Sequence, residues 1–170
     1  SRVSRRIPHI ALPAFKEEIK MQLRERIELC NGCAACVVAC KYVCVKMEEA
    51  EADRSKRLPR VDENGCNKCN ACMLFCPLYN PVELPIFEEF YEYDPSFAHR
   101  DMPKLYRETM RSVKAGQHTE FVGTLCEIAA LKSLSGDKLR PNLILKPLYC
   151  DEEKRAQDPA CAACRFYQQA

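Results

Sequence analysis

The chain has 170 residues, of which 47% are hydrophobic and 29% charged, and a formal net charge of +2. No apolar run approaches the roughly 20 residues that cross a bilayer, and nothing in the near-neutral balance suggests a nucleic-acid-binding surface. The length fits one ordinary domain or, as we favour, a small domain of about 60 residues with extensions.

The chain begins at Ser1 with Arg2, Arg5 and Arg6, and no apolar stretch follows that could act as a secretory core. The absent initiator Met leads us to expect processing or a fragment. Over 13–27 the apolar residues Phe15, Ile19, Leu23 and Ile27 recur every fourth position among charged ones, which predicts an amphipathic N-terminal helix. Cysteines crowd the next stretch. The charged segment 48–57 reads as a solvated loop or hairpin insertion, 58–61 as a strand, and a second cysteine run closes at Pro77.

Beyond Pro85 aromatic residues (Phe87, Phe90, Tyr91, Tyr93) sit among acidic ones, which marks a boundary between segments 28–85 and 86–170. Asp101 and Pro103 open a predicted helix whose apolar face is Tyr106, Met110 and Val113, and Gly116 ends it. A second helix is predicted over 119–134 up to Gly136, then a buried strand over 143–145 and a polar tail from Asp151.

Thirteen cysteines is an odd number, and eight of them fall in two runs. Cysteines three residues apart in series cannot all pair with one another, so they point to metal in a reducing compartment rather than to disulfides. We expect the cytoplasm or a similar compartment, with the chain free or peripheral on a membrane complex. The first run is Cys30-Asn-Gly-Cys33-Ala-Ala-Cys36-Val-Val-Ala-Cys40; the second is Cys66-Asn-Lys-Cys69-Asn-Ala-Cys72-Met-Leu-Phe-Cys76-Pro77. Both have the Cys-x2-Cys-x2-Cys-x3-Cys spacing. Zinc, which takes four ligands commonly as two Cys-x2-Cys pairs, does not account for a third cysteine at one spacing twice.

Residues 28–80 resemble the bacterial two-cluster ferredoxin family, whose cysteine run and crossed fourth ligand are well described. The resemblance implies an α+β fold with a ferredoxin-like βαββαβ core and two [4Fe–4S] clusters. One would lie on Cys30, Cys33, Cys36 and Cys76, the other on Cys66, Cys69, Cys72 and Cys40. It also implies that Cys40 and Cys76 begin short helices. Lys41 stands where the family has Pro after the fourth cysteine, and the stretch between Cys40 and Cys66 is longer than in the smallest members. With four thiolates on each 2+ cluster, two clusters would carry the +2 chain to about −2.

Five cysteines lie outside the runs. Cys44 and Cys126 read as buried apolar thiols. Cys161-x2-Cys164 could grip one metal, with Cys126 and Cys150 completing a third cluster or a zinc site, but a single such pair near a chain end is a weak signal and free thiols are the simpler reading. His9, His99 and His118 show no catalytic spacing, and neither a phosphate loop nor a nucleophile elbow is present.

The leading expectation is single-electron transfer by an iron–sulfur subunit of a multi-subunit oxidoreductase, with the C-terminal extension docking on other subunits or a redox carrier. No substrate site of its own is expected. An alternative is the electron-entry part of a flavin-dependent oxidoreductase, since 100–134, with Gly116-Gln117 and Gly123-Thr124, faintly resembles the deazaflavin-reducing hydrogenase beta-subunit family without its paired glycines. A third reading has the clusters only bracing a docking module. Val37, Val38, Met73, Leu74 and Phe75 predict partly desolvated clusters.

Overall fold

A computed structural model describes residues 30–51, 56–136 and 138–167. The predicted N-terminal helix and His9 lie outside these residues. In the first half, helix α1 (Ala35–Ala39) is followed by strands β1 (Val45–Glu49) and β2 (Arg57–Val61) and by helix α2 (Ala71–Leu74). β1 and β2 pair antiparallel, from Val45 opposite Val61 to Glu49 opposite Arg57. Both ends of the charged stretch 48–57 therefore lie in paired strands, and Ala50 N donates to Lys56 O at 2.8 Å. Pro59 is tolerated there because each strand of a two-stranded ribbon keeps one unpaired edge.

The described residues thus contain the central αββα of the expected βαββαβ order. The position of the first strand, before Cys30, lies outside them. After α2, residues 77–90 form no strand. Pro77, Pro81 and Pro85 each remove a backbone donor, which works against a closing strand. Only Tyr91 makes a ladder contact, donating to Pro147 O at 2.8 Å and accepting from Tyr149 N at 2.9 Å. A second difference concerns the short helices. α1 and α2 carry the third cysteine of each run and stop before the fourth, so Cys40 and Cys76 follow helices rather than begin them.

In the second half, helix α3 (Met102–Lys114) starts as the sequence predicts: Asp101 accepts from Lys104 N at 3.1 Å, and Pro103 occupies the first turn, where its missing N–H costs nothing. Gly116, at φ 80°, follows its end. The predicted helix over 119–134 is instead a strand and a helix, β3 (Thr119–Thr124) and α4 (Leu125–Leu134). The first six residues are rich in β-branched and aromatic side chains and alternate in burial, with Phe121 and Gly123 inward. They pair in parallel with β4 (Leu143–Leu148), from Thr119 opposite Leu143 to Thr124 opposite Leu148. α4 is the crossover between them, and Ile128, Ala129, Ala130 and Leu131 are wholly buried. Helices α5 (Glu152–Gln157) and α6 (Pro159–Ala162) end the described chain, capped by Asp151 and Asp158.

The change of composition at residue 85 does not separate two cores. Cys33 and Ala35 of the first half pack in one cluster with Tyr106, Phe121, Ile128, Ala130 and Leu131 of the second. Ser133 Oγ donates to Phe75 O at 2.9 Å across the same boundary. Gly123 is fixed sterically. A Cβ there would stand 2.8 Å from both the buried Phe121 ring and Glu127 Oε2, whose carboxylate is held by Thr124 N at 2.8 Å and Arg100 Nη2 at 3.0 Å. Neither neighbour can yield cheaply, so Gly123→Ala should cost about 1–3 kcal/mol, read as a fall in the thermal midpoint.

Candidate metal centre

The two cysteine runs fold as near copies. In each, the asparagine after the first cysteine turns its Oδ1 back onto the N–H of the second: Asn31 on Cys33 at 3.2 Å, Asn67 on Cys69 at 3.1 Å. The next residue aims its own N–H at the first sulfur: Gly32 at Cys30 Sγ and Lys68 at Cys66 Sγ, both 3.4 Å. The backbone is left-handed at the same two places, Gly32 and Ala34 in one run and Lys68 and Asn70 in the other. An Asx turn followed by a left-handed residue curls three residues tightly enough for successive thiols to face one centre. The Asn stands at the same offset in both runs of the sequence, and its effect, a turn that aims donors at sulfur, takes the folded backbone to see.

The charged neighbours of four of these thiols reach across the two runs. Cys30 feels Cys76, Cys33 feels Cys76 and Cys36, and Cys36 feels Cys30 and Cys76. Cys72 feels Cys66, Cys40 and Cys69. Cys76, the fourth cysteine of the second run, thus lies among the neighbours of the first run, and Cys40 among those of Cys72; Cys36 also feels Cys72. Burial pushes the thiols of Cys30, Cys33, Cys36, Cys72 and Cys76 above their ordinary range, and neighbouring thiols push the first four further. Such a site disfavours free thiolates and favours a cationic centre that deprotonates them on binding.

Among the described residues no three Cys, His, Asp or Glu side chains converge closely enough for one metal ion. A cubane does not ask for that, because each thiolate takes its own iron at a separate corner. Beside the second set lies a cavity of about 810 Å³ bordered by Cys40, Cys66, Cys69 and Cys72, together with Cys44 and Met73. The donor set and the space both fit an iron–sulfur cluster.

Cys44 is indeed buried, 6% exposed, but it is not an isolated apolar thiol. Its Sγ is 3.2 Å from Cys40 Sγ and it also feels Cys66. The turn that places it runs through Val43, a β-branched residue at φ 55° and 69% exposed. Left-handed backbone costs such a residue about 1–2 kcal/mol, and glycine returns about 0.5–1 kcal/mol of that as lost chain entropy, so Val43→Gly should stabilise the chain by about 0.5–1 kcal/mol in denaturant titration. Of the apolar neighbours expected to shield the clusters, Met73 is buried and Val37 packs on Cys40 and Cys44, whereas Leu74 is half exposed. His99 and His118 lie exposed.

The family described as a 4Fe-4S binding domain matches residues 27–43 and 63–91, which together contain all eight run cysteines. Subunit VorC of the ketoisovalerate oxidoreductase of Methanothermobacter marburgensis is 31% identical over 61 residues, covering 36% of this chain and 76% of that relative. The chain belongs to the ferredoxin-like 4Fe–4S electron-transfer proteins. No solved structure matches it. As a ferredoxin-like protein it binds at least one [4Fe–4S] cluster, and no helix among its described residues is long and apolar enough to cross a membrane.

Proposed function

We propose that the chain carries two [4Fe–4S] clusters, on Cys30, Cys33, Cys36 and Cys76 and on Cys66, Cys69, Cys72 and Cys40, and passes single electrons as the iron–sulfur subunit of a multi-subunit oxidoreductase. The observation that carries this is that Cys76 is a charged neighbour of Cys30, Cys33 and Cys36, while Cys40 borders one cavity with Cys66, Cys69 and Cys72. When bound, each cluster supplies a one-electron couple whose potential follows the hydrogen bonds and exposure at its sulfurs. The chain's own share is to set those: Gly32 and Lys68 aim N–H groups at sulfur, and burial differs between the sets, since Cys33 is 7% exposed whereas Cys69 faces solvent. The second set, whose Cys69 faces solvent, is the natural contact for a carrier, and the first set packs on the C-terminal extension through Cys33. The likeness to VorC supports a partner among oxidoreductase subunits, with the extension as the docking segment.

Iron and acid-labile sulfide counts with low-temperature EPR on anaerobically purified protein test the reading. Two reducible, magnetically coupled centres whose signals vanish in Cys69→Ser/Cys72→Ser and in Cys33→Ser/Cys36→Ser variants support it. One centre in the runs, or zinc there, would overturn it.

The flavin reading gains one observation, the parallel β3–α4–β4 unit, because nucleotide cofactors bind outside the carboxyl ends of parallel strands. Those strand ends carry Cys126 and Cys150, which argues for thiolate chemistry instead. Flavin released on denaturation would reverse that preference.

A further inference from the structure

Four cysteines outside the two runs are brought to one edge of the molecule by three separate elements. Thr124 and Leu148 are partners in the β3–β4 register, and Cys126 and Cys150 each lie two residues beyond, so the two thiols leave neighbouring parallel strands at equivalent positions. Cys161 and Cys164 come from the turn at the end of α6, where Cys164 N donates to Cys161 O at 3.2 Å. Phe166, wholly buried, anchors that turn against Leu125 and Ala129, and Cys126 and Cys164 pack on the same cluster. The four thiols are half-buried and sense one another: Cys126 feels Cys164 and Cys150, Cys150 feels Cys164 and Cys161, and Cys161 feels Cys164. Lys154 lends its positive field to Cys161 and Cys126.

We propose that Cys126, Cys150, Cys161 and Cys164 hold a third [4Fe–4S] cluster, adjoining the one on Cys30, Cys33, Cys36 and Cys76. Four thiolates also suit structural zinc. But these four, like the eight of the runs, do not converge on a single ion, and a cubane spreads its ligands over separate irons. Their placement also continues a line. Cys36 and Cys72 pack against one cluster, which links the second set to the first, and Cys33 and Ala35 pack with Ile128, Ala130 and Leu131 of α4, the helix that carries Cys126, which links the first set to the third. One electron passed along that line takes one cluster from 1+ to 2+ as its neighbour goes from 2+ to 1+, with no bond broken. The binding site stands on its own four residues, while its place at the end of a wire rests on the two-cluster reading.

The test compares iron, sulfide and zinc in the full chain, purified anaerobically, with those in Cys161→Ser/Cys164→Ser and in Cys69→Ser/Cys72→Ser. About twelve irons in the parent and about four fewer in Cys161→Ser/Cys164→Ser, with the core EPR signals kept, is the expected result. Equal iron in the parent and that variant, or one zinc lost in place of iron, overturns the third cluster. A failure of the core reading looks different, because Cys69→Ser/Cys72→Ser would then leave iron unchanged. Should Cys161→Ser/Cys164→Ser lose the core signals through misfolding, Cys150→Ser at the strand end reads the same difference: about four irons lost supports the cluster, none lost overturns it.

Discussion

Cys76→Ala is expected to remove the cluster of the first run, lowering iron by about four per chain and leaving the cluster on Cys66, Cys69 and Cys72 in place. If each run served its own cluster, the same substitution would strip the second run. The two outcomes are told apart by a double variant. Cys33→Ala and Cys76→Ala should each cost about four irons, and the pair together no more than either alone, because both remove ligands of one centre. Additive loss of about eight would mean that the runs are not crossed. Behind the expectation, Cys76 is a charged neighbour of Cys30, Cys33 and Cys36, whereas Cys40 borders one cavity with Cys66, Cys69 and Cys72. Because ligation is coupled to folding, the loss should also lower the thermal midpoint.

The mirror substitution should not behave as a mirror. Cys40→Ala leaves Cys44, whose sulfur lies 3.2 Å from that of Cys40 and which already feels Cys66. Cys44 can swing into the vacated corner, so Cys40→Ala is expected to keep part of its iron and Cys40→Ala/Cys44→Ala to lose the second cluster outright. No counterpart exists for Cys76, which is followed by Pro77, Leu78 and Tyr79.

The centre was legible in the sequence to the extent that its chemistry is local. Spacing within each run, and the asparagine that curls it, act over three residues, and the structure repeats them with nearly equal distances. What the sequence hid depends on contacts between distant residues. Thr119–Thr124 carries strand-forming residues, but its apolar content runs on without a break into 125–134, and pairing with Leu143–Leu148 is what separates strand from helix. That pairing also turns Cys126 and Cys150, 24 positions apart in the sequence and unremarkable singly, into neighbours at one sheet edge. Cys44, four residues past Cys40 in a stretch that should return to a sheet, has the sequence setting of an ordinary buried apolar residue, yet the left-handed turn at Val43 folds it back on Cys40. Pro77, Pro81 and Pro85 were in plain view and weigh against the closing strand that the family resemblance implied.

The extension is expected to fold with the clusters rather than beside them, and Tyr106 is where this can be measured. It lies on the predicted apolar face of α3, wholly buried, with its ring stacked on Phe121 at 5.9 Å and its hydroxyl donating to the carbonyl of Cys33 at 2.9 Å. Tyr106→Phe keeps the ring and takes away the donor that Cys33 O uses, at a cost of about 1–3 kcal/mol. Iron content should hold while the thermal midpoint falls. Tyr106→Ala also removes the ring from a cluster that includes Cys33, Ala35 and Ile128, and should cost about 3–5 kcal/mol, a large share of the roughly 5–15 kcal/mol that holds an ordinary domain. In that variant the helical circular dichroism and the cluster absorbance should be lost in a single transition on heating. If the helical signal melted first and the clusters stayed loaded, the two halves would be separate units, and the carbonyl contact at Cys33 would be incidental to cluster retention.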